Sequence, residues 1–166
     1  DSIVTASDRG DILRVPLASG AAPQPLAASQ FNEYGSSVSP DGRWVAYQSD
    51  ETGRPEVYVI DVAAPGNRRQ VSTDGGEEPH WSPDGREIAI GDRSQLEEPF
   101  SIQLVNVRTS VRQKITLPPD RTIGDTNPAF SPDGSQLSFV RAPSSGVNDI
   151  WVTSVRGGVP RRLTFD

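Results

Sequence analysis

Apolar and polar residues alternate along most of the chain in short runs, and the strongest run covers residues 57–62. Equivalent runs begin at Ile12, Ile102 and Ile150, so that successive starts lie 45, 45 and 48 residues apart. Alternation with a period of two is typical of strands that bury one face. No stretch keeps the i, i+3, i+4, i+7 spacing of an amphipathic helix. The pattern therefore predicts an all-β chain built from repeats.

The sequence Ser-Pro-Asp-Gly occurs three times, at residues 39–42, 82–85 and 131–134. Pro presets φ near −65°, Asp can accept a nearby backbone N–H, and Gly accepts a positive φ, so each copy predicts a tight turn. One carboxylate per turn is too few for Ca²⁺, which takes six to eight oxygen ligands. We therefore expect Asp41, Asp84 and Asp133 to be structural turn residues rather than metal ligands.

Each repeat is predicted to contain four strands, A to D from the inside outwards. Strand A is expected at residues 79–82 and 128–131, and strand D around Val71, Ile115 and Leu163. The polar stretches between strands B and C are predicted to be loops, at residues 49–55, 91–99 and 141–148. The charged residues of strand D protect an exposed sheet edge from pairing with other chains.

Four-stranded units repeated every 40 to 50 residues predict a β-propeller, because stacked blades bury the faces that single sheets would expose. We expect about four blades in one domain, at residues 1–29, 30–74, 75–120 and 121–166, the first lacking its innermost strand. Aromatic residues are predicted to pack between neighbouring blades: Trp44, Trp81, Phe130 and Trp151.

The repeats resemble the TolB-type propeller family, which is related to WD repeats. Residues 149–152 (Asp-Ile-Trp-Val) and 161–164 (Arg-Arg-Leu-Thr) carry the resemblance, and residues 56–59 also match well. Residues 100–103 depart from the pattern because they lack its aromatic residue. The resemblance covers nearly the whole chain and implies a propeller fold.

For function, the resemblance implies a non-catalytic scaffold or sensor module that binds a protein or peptide within a larger bacterial protein. The alternative is the substrate-gating propeller of a prolyl-oligopeptidase-like serine peptidase. The family also implies a periplasmic or other extracytoplasmic location. The amino end shows no signal peptide, so if the protein is exported its signal is expected upstream of this sequence.

Composition excludes several other functions. The 166 residues carry a net charge of −6 without a block of Lys or Arg, so we expect no nucleic-acid partner. No apolar run reaches the length of about 18 residues that a membrane helix requires, so no membrane insertion is expected. The absence of cysteine removes disulfides and thiolate ligands.

Candidate chemistry is sparse, because His80 is the only histidine and no Gly-x-Ser-x-Gly sequence occurs. We expect no catalytic constellation, no metal site and no cofactor. A binding site is predicted where the loops that enter strand A converge on the channel. Its polar side chains differ from blade to blade: Tyr34, Glu77, Glu78, His80, Thr126 and Asn127.

About four blades is a small number for a propeller. One prediction is a homodimer, in which two copies associate into an eight-bladed ring because each half exposes two blade faces. The other is a four-bladed ring that closes alone.

Overall fold

A computed structural model describes residues 2–7, 10–95 and 97–165. The predicted blade limits at residues 1 and 166 lie outside the described residues. Fifteen strands and no helix form the described part of the chain, so no helix within it could span a membrane. The strands are β1 (Ser2–Ala6), β2 (Ile12–Pro16), β3 (Gln24–Ala27), β4 (Glu33–Val38), β5 (Trp44–Ser49), β6 (Glu56–Asp61), β7 (Ala64–Gln70), β8 (Glu77–Trp81), β9 (Glu87–Asp92), β10 (Ser101–Asn106), β11 (Arg112–Lys114), β12 (Gly124–Phe130), β13 (Gln136–Ser144), β14 (Val147–Ser154) and β15 (Arg161–Arg162).

The strands form four antiparallel sheets in chain order. The first sheet has three strands, β1-β2-β3, and the other three have four strands each: β4-β5-β6-β7, β8-β9-β10-β11 and β12-β13-β14-β15. The expected all-β propeller architecture, with a first blade that lacks its innermost strand, is confirmed. We call the end of each sheet that carries the B–C connection, such as residues 50–55, the loop end. The opposite end, which carries the Ser-Pro-Asp-Gly turns, is the turn end.

Buried apolar side chains fill each cleft between successive sheets. In the first cleft Tyr47 and Tyr58 stack with ring centroids 5.8 Å apart, and they pack with Ile12 of the first sheet. Trp81 and Trp44 pack in the second cleft, against Val59 and Ile90 among others, while Phe130 and Trp151 pack in the third. The predicted inter-blade role of these four aromatic residues is confirmed.

The outer faces of the first and last sheets lack such a neighbour. Val57 and Ile102 are fully buried, whereas Ile150, which holds the equivalent place in the fourth sheet, is 45% exposed. On the first sheet Ile3 is 52% exposed. The three apolar clusters join successive sheets, and none of them joins the fourth sheet to the first. The described residues therefore form an open arc of blades.

The Ser-Pro-Asp-Gly turns repeat one hydrogen-bond arrangement. The Ser39 hydroxyl donates to Asp41 Oδ1 at 2.6 Å and accepts the Trp44 backbone N–H at 2.9 Å. Asp41 Oδ1 also accepts the Arg43 N–H at 3.1 Å. These bonds to the ionised carboxylate lower the pKa of Asp41. The same contacts recur around Asp84 and Asp133.

A second repeated contact fastens the end of strand D to the start of strand C. The Ser72 hydroxyl accepts the Val57 N–H at 2.7 Å and donates to Glu56 Oε2 at 2.5 Å. Hydroxyls at equivalent places accept equivalent N–H groups, Thr116 from Ile102 and Thr164 from Ile150. The Ser or Thr that follows strand D in each of these repeats thus holds strand D against strand C.

Two sequence predictions are wrong in detail. Residues 141–148 were expected to be a loop, but β13 and β14 continue through them and pair Ser144 with Val147 around Gly146. A register shift between Arg141 and Ser144 accommodates the Pro and Ser residues that suggested a loop. Strand D ends just before its apolar residue, although Val71 still donates its N–H to the Val57 carbonyl at 2.9 Å.

Candidate functional site

The three inner strands, β4, β8 and β12, carry the same irregularity near the loop end. In each, the pairing register shifts at a residue with positive φ: 61° at Gly35, 52° at Glu78 and 51° at Asn127. Only glycine adopts this conformation without a cost, so Glu78 and Asn127 must be held there by their surroundings. The expected site residues lie within strand A at these bulges, and not before it, because strand A begins earlier than the sequence predicted.

Hydrogen bonds between blades hold the bulges. The Glu78 backbone N–H donates to Gln48 Oε1 of the second blade at 2.8 Å. The Glu78 carboxylate in turn accepts the backbone N–H of Asn127 at 2.6 Å and its side-chain amide at 3.0 Å. The structure therefore brings Glu78 and Asn127 into direct contact and links the inner strands β8 and β12 to each other and to β5 of the second blade.

Three of the expected site residues occupy equivalent places, one residue before each bulge. Tyr34, Glu77 and Thr126 pair with Gln48, Gly91 and Val140 of the adjacent strands. Tyr34 is 41% exposed, whereas Glu77 is partly buried. Burial raises the pKa of Glu77, and the nearby Glu78 carboxylate raises it further. The three blades thus offer a phenol, a carboxyl and a hydroxyl at one repeated position.

His80 lies two residues after its bulge and is exposed on the inner strand. Desolvation by the surrounding strands lowers the pKa of His80, and the negative charge of Glu78 partly opposes that shift. Among residues 2–7, 10–95 and 97–165, no three His, Asp or Glu side chains are grouped so that they could hold a metal ion.

A cavity of about 400 Å³ opens between the second and third blades at the same end. Sequence reasoning missed most of its lining. Glu77 belongs to the predicted site, but the other charged and aromatic lining residues lie in or next to the B–C connections: Arg54, Asp92, Arg93 and Phe100. The Arg93 guanidinium lies 4.5 Å from the centre of the Phe100 ring, within cation–π range.

Asp92 is the electrostatic centre of this loop-end cavity. Its carboxylate accepts hydrogen bonds from Arg112 Nη2 and Gln103 Nε2, both at 2.8 Å, and Arg54 Nη2 lies 3.8 Å away. Burial raises the pKa of Asp92, while the two arginines act in the opposite direction. Gly75 admits this arrangement, because a Cβ there would collide with Arg54 and Asp92. The Gly75-Gly76 pair was the one sequence signal for such a close approach.

The sequence profile described as "TolB beta propeller domain" matches residues 4–166. The chain belongs to this TolB β-propeller family. The resemblance carried by the repeated motifs is thereby confirmed, and so is the propeller fold of the TolB-family chain.

Known proteins agree with this assignment. The Tol-Pal system protein TolB of Francisella tularensis subsp. mediasiatica (strain FSC147) is 32% identical over 82 residues, which is 49% of this chain and 19% of the relative. The solved structure of a putative TolB from Agrobacterium tumefaciens aligns with a TM-score of 0.77 and 22% identity, covering 97% of this chain and 59% of that one. The TolB-family chain therefore spans less than two thirds of either protein.

The same fold also occurs in a protein that is named as a peptidase. A puromycin-hydrolyzing peptidase of Mycobacterium tuberculosis aligns with a TM-score of 0.74 and 18% identity over 99% of this chain and 28% of the peptidase. At this identity the likeness concerns the fold alone.

Proposed function

We propose that this TolB-family chain is a non-catalytic module that binds a protein or peptide segment at the loop end of its inner strands. The observation that carries the proposal is the shared bulge with different side chains: Tyr34, Glu77 and Thr126 occupy one structural position in three blades. A repeated backbone that presents varied polar groups on one surface is suited to recognition of an irregular polar ligand.

Rigidity supports this function. The hydrogen bonds that the Glu78 N–H donates to Gln48 and the Asn127 N–H donates to Glu78 hold these two bulges before any ligand arrives, which reduces the entropy lost on binding. The adjacent cavity of about 400 Å³ adds Phe100 and two arginines, so that a peptide could place one side chain between the blades. The Francisella relative is named as a protein of a Tol-Pal system, which supports a role alongside other proteins.

The test uses peptides selected from a random displayed library against the intact chain. Their affinities are then measured by fluorescence anisotropy for the Tyr34→Ala and Thr126→Ala variants and for a Gln113→Ala control on the outer strand β11. We expect each inner-strand variant to weaken binding by about tenfold, because a truncated central contact typically costs more than 1 kcal/mol. The melting temperature should not change. Equal affinities for all three variants would place the site elsewhere.

The substrate-gating alternative stays a prediction for the full-length protein. A hydrolase domain encoded after this segment would favour gating, and a kinase or DNA-binding domain before it would favour the sensor. The family-based expectation of a periplasmic or other extracytoplasmic location also stays a prediction.

We further propose that a second copy of the chain covers the open faces of the terminal sheets. Ile150 and Leu163 are 45% and 42% exposed on the fourth sheet. The equivalent residues of the second sheet, Val57 and Val71, are buried. The first sheet offers the apolar Ile3 and Leu17 in return, at 52% and 62% exposure. Light scattering after size exclusion should give twice the mass of one 17.9 kDa chain. A monomer at micromolar concentration with a stable melt would contradict the pairing.

A further inference from the structure

The cleft between the second and third sheets has a second opening, at the turn end. A cavity of about 710 Å³ lies there, with Trp44, Val59 and Val107 among its apolar lining residues. Its other lining includes three arginines that are far apart in the sequence: Arg69, Arg86 and Arg108. We call this cavity the arginine groove. It lies at the opposite end of the cleft from the inner-strand bulges.

The charge of the arginine groove contrasts with that of the chain, whose net charge is −6. Among the described residues, no carboxylate lies within ion-pair distance of Arg69 or Arg108. Arg69 donates instead to the backbone carbonyl of Val107. Arg86 has a loose partner in Asp84 at 3.8 Å, with both side chains largely exposed. The groove thus carries positive charge that nothing in its lining neutralises fully.

Trp44 forms an aromatic wall on which a fourth arginine stacks. The Arg43 guanidinium lies 5.1 Å from the centre of the Trp44 ring and 3.5 Å from Asp61. The fold does not require an aromatic residue here. Glu87 and Gln136 hold the equivalent places in the third and fourth sheets.

The next cleft provides an internal comparison. At the turn end between the third and fourth sheets, a smaller cavity of about 290 Å³ is lined by three carboxylates and contains no arginine: Asp84, Glu87 and Asp133. The turn-end cavities of two neighbouring clefts are therefore lined by residues of different charge. The repeat architecture alone therefore does not account for the three arginines, which suggests that this groove has a binding function of its own.

We propose that the arginine groove binds an acidic peptide segment that carries one aromatic or large apolar residue. Guanidinium groups bind carboxylates through paired, charge-assisted hydrogen bonds, and an apolar side chain can pack on Trp44 and Val107. A single-stranded nucleic acid fits less well, because the phosphates outside the groove would meet an acidic protein surface. This second site is separate from the binding site under Proposed function.

The experiment uses a fluorescein-labelled peptide in which Asp and Glu flank one Phe, titrated with the intact chain. We expect binding that weakens with salt, with replacement of the acidic residues by Lys, and with replacement of Phe by Ala. Arg108→Glu should weaken binding by at least about tenfold, since it places a like charge against the peptide. The Tyr34→Ala variant should bind the probe as tightly as the unchanged chain.

Arg156→Glu is the matched control, because Arg156 follows the fourth sheet's C strand as Arg108 follows that of the third. Both backbone N–H groups donate to the same kind of local partner, a polar side chain two residues earlier, at 3.1 Å. Arg156→Glu should leave the affinity nearly unchanged. Equal losses in both variants, no binding of the probe, or tighter binding of oligothymidylate than of the peptide would each overturn the proposal. Circular dichroism and the melting temperature confirm that each variant is folded.

Discussion

The two ends of the cleft between the second and third sheets differ in how their arginines are paired. At the loop end, Arg112 and Arg54 surround the buried carboxylate of Asp92 at 2.8 and 3.8 Å. At the turn end, Arg108 is exposed and has no carboxylate partner among the described residues. At one end of this cleft the arginines thus surround a buried carboxylate, whereas at the other end Arg69 and Arg108 have no carboxylate partner among the described residues.

Burial explains the difference. Charges removed from water must be paired and hydrogen-bonded, since the desolvation cost is otherwise several kcal/mol for each ion. An exposed guanidinium keeps its hydration and needs no partner. We infer that the loop-end arginines serve mainly to hold the blades together, whereas the turn-end arginines are available for another molecule. Measuring how substitutions at each end change the free energy of unfolding tests this difference.

The largest expected effect is at the loop end. Asp92→Ala should lower the free energy of unfolding by about 3 kcal/mol, because Arg112 and Gln103 would lose their buried acceptor. Asp92→Asn keeps one oxygen acceptor and should cost less. Urea unfolding followed by tryptophan fluorescence measures both changes. A loss below that of an exposed substitution would show that the Asp92 contacts do not hold the cleft.

A smaller effect is expected at Ser72, next to the loop-end cavity. Ser72→Ala should cost about 1–2 kcal/mol, because the buried Val57 N–H and the Glu56 carboxylate each lose a partner. The matched variant is Thr164→Ala in the fourth sheet, where the Ile150 N–H lies near solvent and can bond to water. Thr164→Ala should lower the free energy of unfolding clearly less than Ser72→Ala in the same urea experiment. Equal costs would contradict the importance of burial.

At the turn end, Arg108→Ala should change the free energy of unfolding by less than about 0.5 kcal/mol, as for other exposed positions without a partner. The same variant should lose affinity for the acidic peptide. Stability and binding would then separate at the turn end, whereas they should change together in the Asp92 variants. A large stability loss in Arg108→Ala would mean that this arginine is architectural after all.

The smallest effect on folding stability is expected when the pH is lowered, and the carboxyls at the two ends change stability in opposite directions. Burial raises the pKa of Glu77 at the loop end, so ionisation of its carboxyl costs stability, and this cost sets in as the pH rises through the folded-state pKa. Hydrogen bonds from Ser131 and Ser135 lower the pKa of Asp133 from 3.8 to about 2. Its contribution is therefore present above 3.8 and is lost as the pH falls towards about 2.

Thermal melts across this acidic range test the turn carboxylates. Asp133→Asn should flatten the decline in melting temperature below pH 3.8, because the amide does not titrate. Asp133→Asn should also melt lower than the unchanged chain at neutral pH. An unaltered acid slope would show that the turn hydrogen bonds do not favour the ionised carboxylate.

Most of the fold could be predicted because its causes are local and repeated. The Ser-Pro-Asp-Gly turn needs only neighbouring atoms, and the alternation in strand C determines which side chains face the next blade. Residues 141–148 were mispredicted because a register shift, set by pairing across the hairpin, let Pro143 remain within a strand. The bulges at Glu78 and Asn127 were missed for the same reason, since contacts between blades stabilise them.

The repeat, the strand order, the turns and the aromatic residues that fill the clefts could all be predicted from the sequence, because they depend on periodicity and on contacts within a few residues. The sequence also shows the net charge of −6 and the lack of any contiguous block of Lys or Arg. Only the tertiary structure brought Arg69, Arg86 and Arg108 to one groove and buried Asp92 between two other arginines. Charge balance at a surface depends on which distant residues meet, and the stacking of blades decides that.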